Sequence, residues 1–285
     1  MGLITDNDLL KEELVEKLRS SMGAIEKDVL DNIFSLLDKL PSSGGVYGGI
    51  ITAEQLLEIS QVINQALIKG GYANKVELFM SDFGKVTLNT SDILKSVGGY
   101  DVRTLPLSAI EKKWKSQTVE SLLGSGINEN FKRPIQKIID ETISGGGSIE
   151  EAKKTLTDYV LGGKDKSGKL KSYLTQTARD SVSQLQGQQF KSVADNIETK
   201  YIRYVGGLLN DSRGQCTRWV KELHGRIKWT DLDDEIKLAY KNQARKLEEP
   251  KGHKWSGMMP NTTPSNFLIK RGGYNCTHTA IPVRK

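Results

Sequence analysis

The residues best suited to chemistry lie in the last quarter of the chain: Cys216 and Cys276, the only cysteines, and His224, His253 and His278, the only histidines. Three chemistries suit them. Cys216, Cys276 and His278, completed by His253 or His224, supply the donors of a tetrahedral zinc site with two sulfurs and two nitrogens. Against it, a Cys-x-His pair is tighter than the usual ligand spacing, and no second close pair exists. The two cysteines could instead pack together, as buried thiols or as a disulfide in an oxidising environment. Such a bridge would close a loop of about 60 residues, worth about 3–4 kcal/mol by loop-closure entropy. Finally, Cys276 with His278, or Cys216 with His224, has the composition of a nucleophile and its base. Proximity along a strand supplies neither an oxyanion hole nor a substrate pocket, so no enzyme activity is expected.

The flanking residues read as scaffold. In Asp211-Ser212-Arg213-x-x-Cys216, Asp211 and Arg213 are expected to form a turn and an ion pair. Trp219, Trp229 and Trp255 are expected to fill the core of a small module. Gly272-Gly273 reads as a turn before the last strand, because no helix follows to make a phosphate site. The stretch Gly162–Lys169 reads as a solvated tip, although Lys164, Lys166, Lys169 and Lys171 could touch phosphates.

These residues need elements to position them. From Leu9 to Leu40 apolar residues recur at threes and fours, a stripe that one helix face can bury, with a tolerated glycine or a break at Gly23. Pro41 to Gly49 ends it. Thr52 and Gln55 make a capping box for a helix that stops at Gly70-Gly71. Tyr72–Phe83 looks helical, and less regular sequence follows to about Pro106. Helices are expected over Ser108–Leu123 and Asn128–Ile143, and from the Ser148/Glu151 capping box to Val160. A long helix should run from Leu170 to Asn196, with Leu174, Ala178, Val182, Leu185, Phe190, Val193 and Ile197 inward. Lys200–Val205, β-branched and aromatic, reads as a strand. The expected fold is mainly α with a small α+β C-terminal subdomain. Its regions are a helical residues 1–125, a helical 126–198 leading into the C-terminal residues, and an α+β module over 199–285.

The order of the C-terminal pieces resembles the phage Mu gpF-like head-morphogenesis family of minor head proteins. The long helix leads into Tyr201–Val205, then Asp211 to Cys216, then a Gly-containing turn. A closing Asn275-Cys276-Thr277-His278 follows, with Ile281-Pro282-Val283. The Trp255-Ser256-Gly257-Met258-Met259-Pro260 stretch and Arg271-Gly272-Gly273-Tyr274 look like segments of the same group. The resemblance covers about residues 130–285 and is carried by Asp211, Arg213, Cys216, Trp255, Gly272, Gly273, Cys276, His278 and Pro282. It implies a virion protein of the phage head, made in the bacterial cytoplasm. Its implied partners are the portal or major capsid protein, in copies set by the symmetry of the portal vertex. The implied role is in head assembly, DNA packaging or ejection, with no cofactor.

Bulk composition is compatible with this and excludes some classes. Hydrophobic residues make up 37% and mean hydropathy is −0.43, so the core is modest for 285 residues. No apolar run approaches the roughly 18 residues that span a bilayer, and Met1–Asp6 lacks a signal-peptide or myristoylation pattern. A net charge of +6, from 41 basic and 35 acidic residues, is too balanced for a dedicated DNA-binding stripe. It leaves packaged DNA as an alternative partner.

Overall fold

Sustained apolar periodicity becomes helix, and its interruptions become helix ends. The computed structural model describes residues 2–40, 42–43, 46–47, 50–103, 105–163, 166–196, 198–248, 253–274 and 276–284. The first stripe is split at Gly23 into α1 (Gly2–Ser20) and α2 (Gly23–Leu37). The Thr52/Gln55 capping box forms with both reciprocal bonds and opens α3 (Ala53–Lys69), which ends at Gly70. There follow α4 (Tyr72–Ser81), α5 (Phe83–Ile93), α6 (Leu107–Leu123) and α7 (Arg133–Ser144). Ser148 accepts the Glu151 amide at the start of α8 (Ile149–Val160), and α9 spans Lys169–Ala194. A three-stranded antiparallel sheet follows, with β1 (Tyr201–Val205) between β2 (Arg226–Lys228) and β3 (Thr279–Val283). A last long helix, α10 (Leu232–Ala244), lies between β2 and β3 in the chain. The chain is thus mainly α with a small α+β part at its C-terminal end. No helix among the described residues is long and apolar enough to cross a membrane.

Two expectations along the chain are corrected. The segment after Phe83 is helical, not irregular, because α5 is built from Thr87, Asn89 and Thr90 as well as apolar residues. Thr87 and Thr90 are buried together with Phe83, Val86 and Ile93, so polar residues interrupt the apolar stripe on this face. Of the three tryptophans assigned to the module's core, Trp219 and Trp255 are buried but Trp229 only packs against it. Ile197, Lys164 and the turn residues Pro41, Gly44, Gly45, Gly48 and Gly49 lie outside the described residues.

The packing divides the chain into two compact units that cut across the boundaries expected at 125 and 198. One comprises Leu14–Ser81 and Ser116–Ala178, the other Met1–Glu13, Asp82–Lys115 and Arg179–Lys285. The chain passes from one to the other four times, between α4 and α5 and inside α1, α6 and α9. In the first, mainly helical unit, Ile25, Val29 and Ile33 of α2, Ile59 and Ile63 of α3, and Ile135, Ile139 and Ile143 of α7 are buried. Buried hydroxyls there are satisfied: Tyr72 donates to the Leu122 carbonyl and Tyr173 to that of Ser121, both at 2.6 Å.

In the second unit, β1 is the central strand. Its Ile202 and Tyr204 point into the core, where Trp219 and Phe267 also lie. Pro282 sits opposite Ile202 on β3, an edge strand, where a residue without an amide proton is tolerated. α10 is held by Glu235, whose carboxylate takes a bidentate pair from Arg218 at 2.9 and 2.7 Å and the Trp219 indole N–H at 3.0 Å.

The Thr52 cap gives a direct check. Thr52→Ala removes the hydroxyl that accepts the Gln55 amide at 3.2 Å and should cost about 1 kcal/mol. Thr52→Ser should be near neutral in the same urea titration.

Candidate functional site

The expected site residues converge only in part. β1 carries Tyr204, whose hydroxyl lies 3.4 Å from Cys216 Sγ and 3.2 Å from Cys276 Sγ. Cys216 comes from a short helical turn, Gly214–Thr217; Cys276 and His278 come from the approach to β3. Cys276 Sγ is 3.7 Å from His278 Nδ1, and the His278 ring stacks on Tyr204 with centroids 5.1 Å apart and planes 12° from parallel. Trp219 packs edge-on to the same tyrosine at 5.2 Å. All three donor residues are buried, and both cysteines are free thiols.

His253 does not join them. Its Nδ1 lies 2.6 Å from the Ser212 carbonyl, and His224 is exposed at a left-handed turn before Gly225. The expected ion pair of Asp211 and Arg213 is also absent among the described residues. Arg213 instead donates to the carbonyls of Gly272, at 3.0 Å, and Tyr274, while Asp211 is exposed. A guanidinium fork matches two converging carbonyls, whereas a pair at the surface would be worth little. Asn275 lies outside the described residues.

Backbone shape makes the convergence possible. Arg271 and Gly273 have positive φ, +48° and +112°, so the chain turns sharply before β3, as expected of Gly272-Gly273. A Cβ on Gly272 would lie 2.6 Å from Cys216 Sγ, 2.6 Å from Tyr204 Oη and 2.9 Å from Cys276 Sγ. Gly214 is equally confined: its Cβ would meet the Trp255 ring at 2.5 Å. Gln215 strengthens the arrangement by donating to the carbonyls of Ser256 and Gly272 at 2.7 and 3.1 Å.

The electrostatics are those of a buried polar cluster. Donating to Cys276, together with burial, holds the Cys216 thiol well above its ordinary pKa. Accepting from Cys216 pulls Cys276 down against its burial, with help from His278 and the Arg271 charge. Arg271 is buried and, among the described residues, donates to the carbonyls of Ile269, Cys276 and His278. Beside it comes a residue the motif did not include, Lys11 of α1, which donates to Thr279 Oγ1 at 2.9 Å. Asn7 donates to the same oxygen at 3.3 Å and accepts from Gln186 of α9 at 2.7 Å. Gln186 reaches Thr90 of α5 at 3.2 Å, and Gln189 reaches Thr87 at 2.9 Å. A polar network therefore links α1, α5, α9 and β3 within this unit.

A cavity of about 620 Å³ opens beside the cluster, lined by Asp8, Lys11, Arg179, Asp211, Cys276 and His278 among others. Arg179 there is engaged by Glu12 at 2.8 Å.

No protein-family model, curated protein or solved structure matches the chain.

The sequence did carry a signal for the N-terminal contribution. Asn7, Lys11, Leu14 and Leu18 follow the spacing of the buried stripe, which places a lysine on an apolar face. Tyr204 was equally legible as an inward position of β1, two residues from Ile202. The geometry contains donors for a soft metal and a hydrogen-bonded pair of sulfurs.

Two measurements probe this cluster. Gly272→Ala should destabilise the protein by about 1–3 kcal/mol through overpacking, whereas Gly207→Ala, with nothing within 4 Å of its Cβ, should change little. Burial, assisted by the Arg271 charge, pushes the Lys11 ammonium down from 10.5 to about 7. Between those values the unfolded chain binds more protons, so this group makes stability rise with pH, by at most about 1.4 kcal/mol per unit. Lys11→Met should therefore be most stabilising near pH 7 and lose its advantage towards pH 10. A difference that stays flat with pH would show that Lys11 remains charged in the fold.

Proposed function

We propose that this protein is a minor structural protein of a tailed-phage head, docking on the portal or the adjoining capsid surface. The observation that carries the reading is the ordered set of C-terminal elements, from the long helix α9 through β1 and Asp211–Cys216 to the closing Cys276–Val283. The packing supports it in one respect. Arg213, Cys216, Trp255, Gly272, Cys276, His278 and Pro282 are used to knit the last 75 or so residues into one module rather than to present groups to a substrate. A signature spent on internal contacts suits a docking module, whose partner contacts come from other faces.

The helical unit offers such a face. Leu57 and Ile68 of α3 are 60% and 76% exposed and Leu78 of α4 is 58% exposed. Leu57 and Ile68 are eleven residues apart, about three helical turns, and so share one side of α3. Single exposed apolar residues are ordinary; two in register on one helix are what an assembly contact uses.

Co-expression with the portal and major capsid proteins of the same phage tests the proposal. The protein should co-purify with portal or enter proheads. Leu57→Asp with Ile68→Asp should leave the unfolding transition within about 0.5 kcal/mol, as surface changes usually do, while reducing incorporation. If the unaltered protein neither binds portal nor enters proheads, the proposal fails.

A further inference from the structure

The ligand atoms of Cys216, Cys276 and His278 all lie within 4.8 Å of one another. In a tetrahedral zinc site, with Zn–S about 2.3 Å and Zn–N about 2.0 Å, ligand atoms stand about 3.5–3.8 Å apart. The 3.7 Å between Cys276 Sγ and His278 Nδ1 falls within that spacing, and a small local adjustment brings all three onto one ion.

The surroundings fit an ion better than they fit bare side chains. On the wall of the same cavity Asp8 Oδ1 is buried without a hydrogen-bond partner, and His278 Nε2, left over when Nδ1 faces Cys276, is likewise bare and open to an ordered water. Buried polar atoms left bare mark a place where water or an ion belongs. The Tyr204 hydroxyl, within 3.4 Å of both sulfurs, can donate to a metal-bound thiolate, the kind of outer contact that orients ligands. Gly272 leaves beside both sulfurs a space that a Cβ would fill. Charge is also accommodated: two thiolates cancel a divalent ion, so seating it adds no net positive charge next to buried Arg271.

We propose that Cys216, Cys276 and His278 bind one thiophilic divalent cation of the zinc class, with a water from the adjoining cavity as its fourth ligand. Thiolate donors select zinc over magnesium or calcium. The protein ligands number three because His253 is turned to the Ser212 carbonyl and His224 is exposed, and no other Cys, His, Asp or Glu joins the group among the described residues. Cys276 and His278 border the cavity, which gives solvent its access. Binding converts two thiols to thiolates and releases their protons to solvent; no electron is transferred. The ion would tie the Gly214–Thr217 turn to the approach to β3, across some 60 residues of chain. This inference does not rest on the phage-head proposal, since a protein of any role can hold the ion.

The test uses the full chain purified without chelator. Elemental analysis should find one zinc per chain. After exchange, Co(II) should give thiolate-to-metal charge-transfer absorption and tetrahedral d–d bands. Cys276→Ser and His278→Asn should each lower Co(II) affinity by more than the about 10–100-fold typical of losing an outer-shell partner, and Tyr204→Phe by about tenfold. Should a ligand variant fail to fold, the spectrum of the unaltered protein decides, because charge transfer appears only with thiolate ligation. The proposal is overturned if the reduced protein neither carries zinc nor takes up Co(II) with charge transfer. It is overturned equally by a Cys216–Cys276 disulfide in the freshly isolated protein, or by metal content that survives Cys276→Ser.

Discussion

Everything in the C-terminal module depends on bringing two sulfurs from distant parts of the chain against one tyrosine, and on the absence of a side chain at Gly272. A single methyl there would lie inside the contact distance of Cys216, Cys276 and Tyr204 at once. The turn that delivers Gly272 needs Arg271 in the left-handed region, which costs a non-glycine residue of order 1 kcal/mol or more. That strain is held in place by hydrogen bonds: Arg271 reaches the carbonyls of Cys276 and His278, and Arg213 those of Gly272 and Tyr274. The two arginines fasten the same turn through different carbonyls, so the sulfur contact, the turn and the start of β3 form as one unit.

A sheet of three short strands cannot support such a cluster alone, since isolated small sheets are marginal without packing on another element. The support comes from helices supplied by distant segments. Asn7 and Lys11 of α1 meet Thr279, and Gln186 of α9 bridges Asn7 to Thr90 of α5. Amide and hydroxyl pairs of this kind add little net stability each, yet leaving any one unpaired costs about 1–3 kcal/mol. The network therefore acts more on specificity than on total stability: its bonds form only in one seating of α1, α5 and α9.

What was legible in the sequence follows from the same physics. Capping at Thr52, the strand Tyr201–Val205 and the long helix after Lys169 rest on local interactions or on apolar periodicity, which the chain displays directly. α5 was not legible, because Thr87 and Thr90, which meet glutamines, interrupt the buried series of Phe83, Val86 and Ile93. Composition placed a boundary near 198, where strand-forming and aromatic residues begin, but packing recruits residues 1–13 and 82–115 to the same unit. Lys11 shows what a reader can still extract: a lysine in register with Leu14 and Leu18 predicts either a broken stripe or a buried ammonium with a partner. For the site, residue types identified Cys216, Cys276 and His278 correctly as neighbours, while His253 was included only because its type fits. Spacing along the chain carries no information about whether a loop histidine faces a sulfur or a carbonyl.

The same cluster ties reactive side-chain types into internal contacts. Cys216 keeps its proton by donating to Cys276, and Cys276 is in turn surrounded by Tyr204, His278 and Arg271. A nucleophilic cysteine needs a base on one side and open access on the other. Here the stacked rings of Tyr204 and His278 cover one side of the sulfurs, and Cys276 meets the cavity on the other. The pair of sulfurs can hold a proton shared between two thiols, or a metal ion that replaces it. Both tie residues 211–217 to 271–283, and both leave the outer faces of the module free for contact with other proteins.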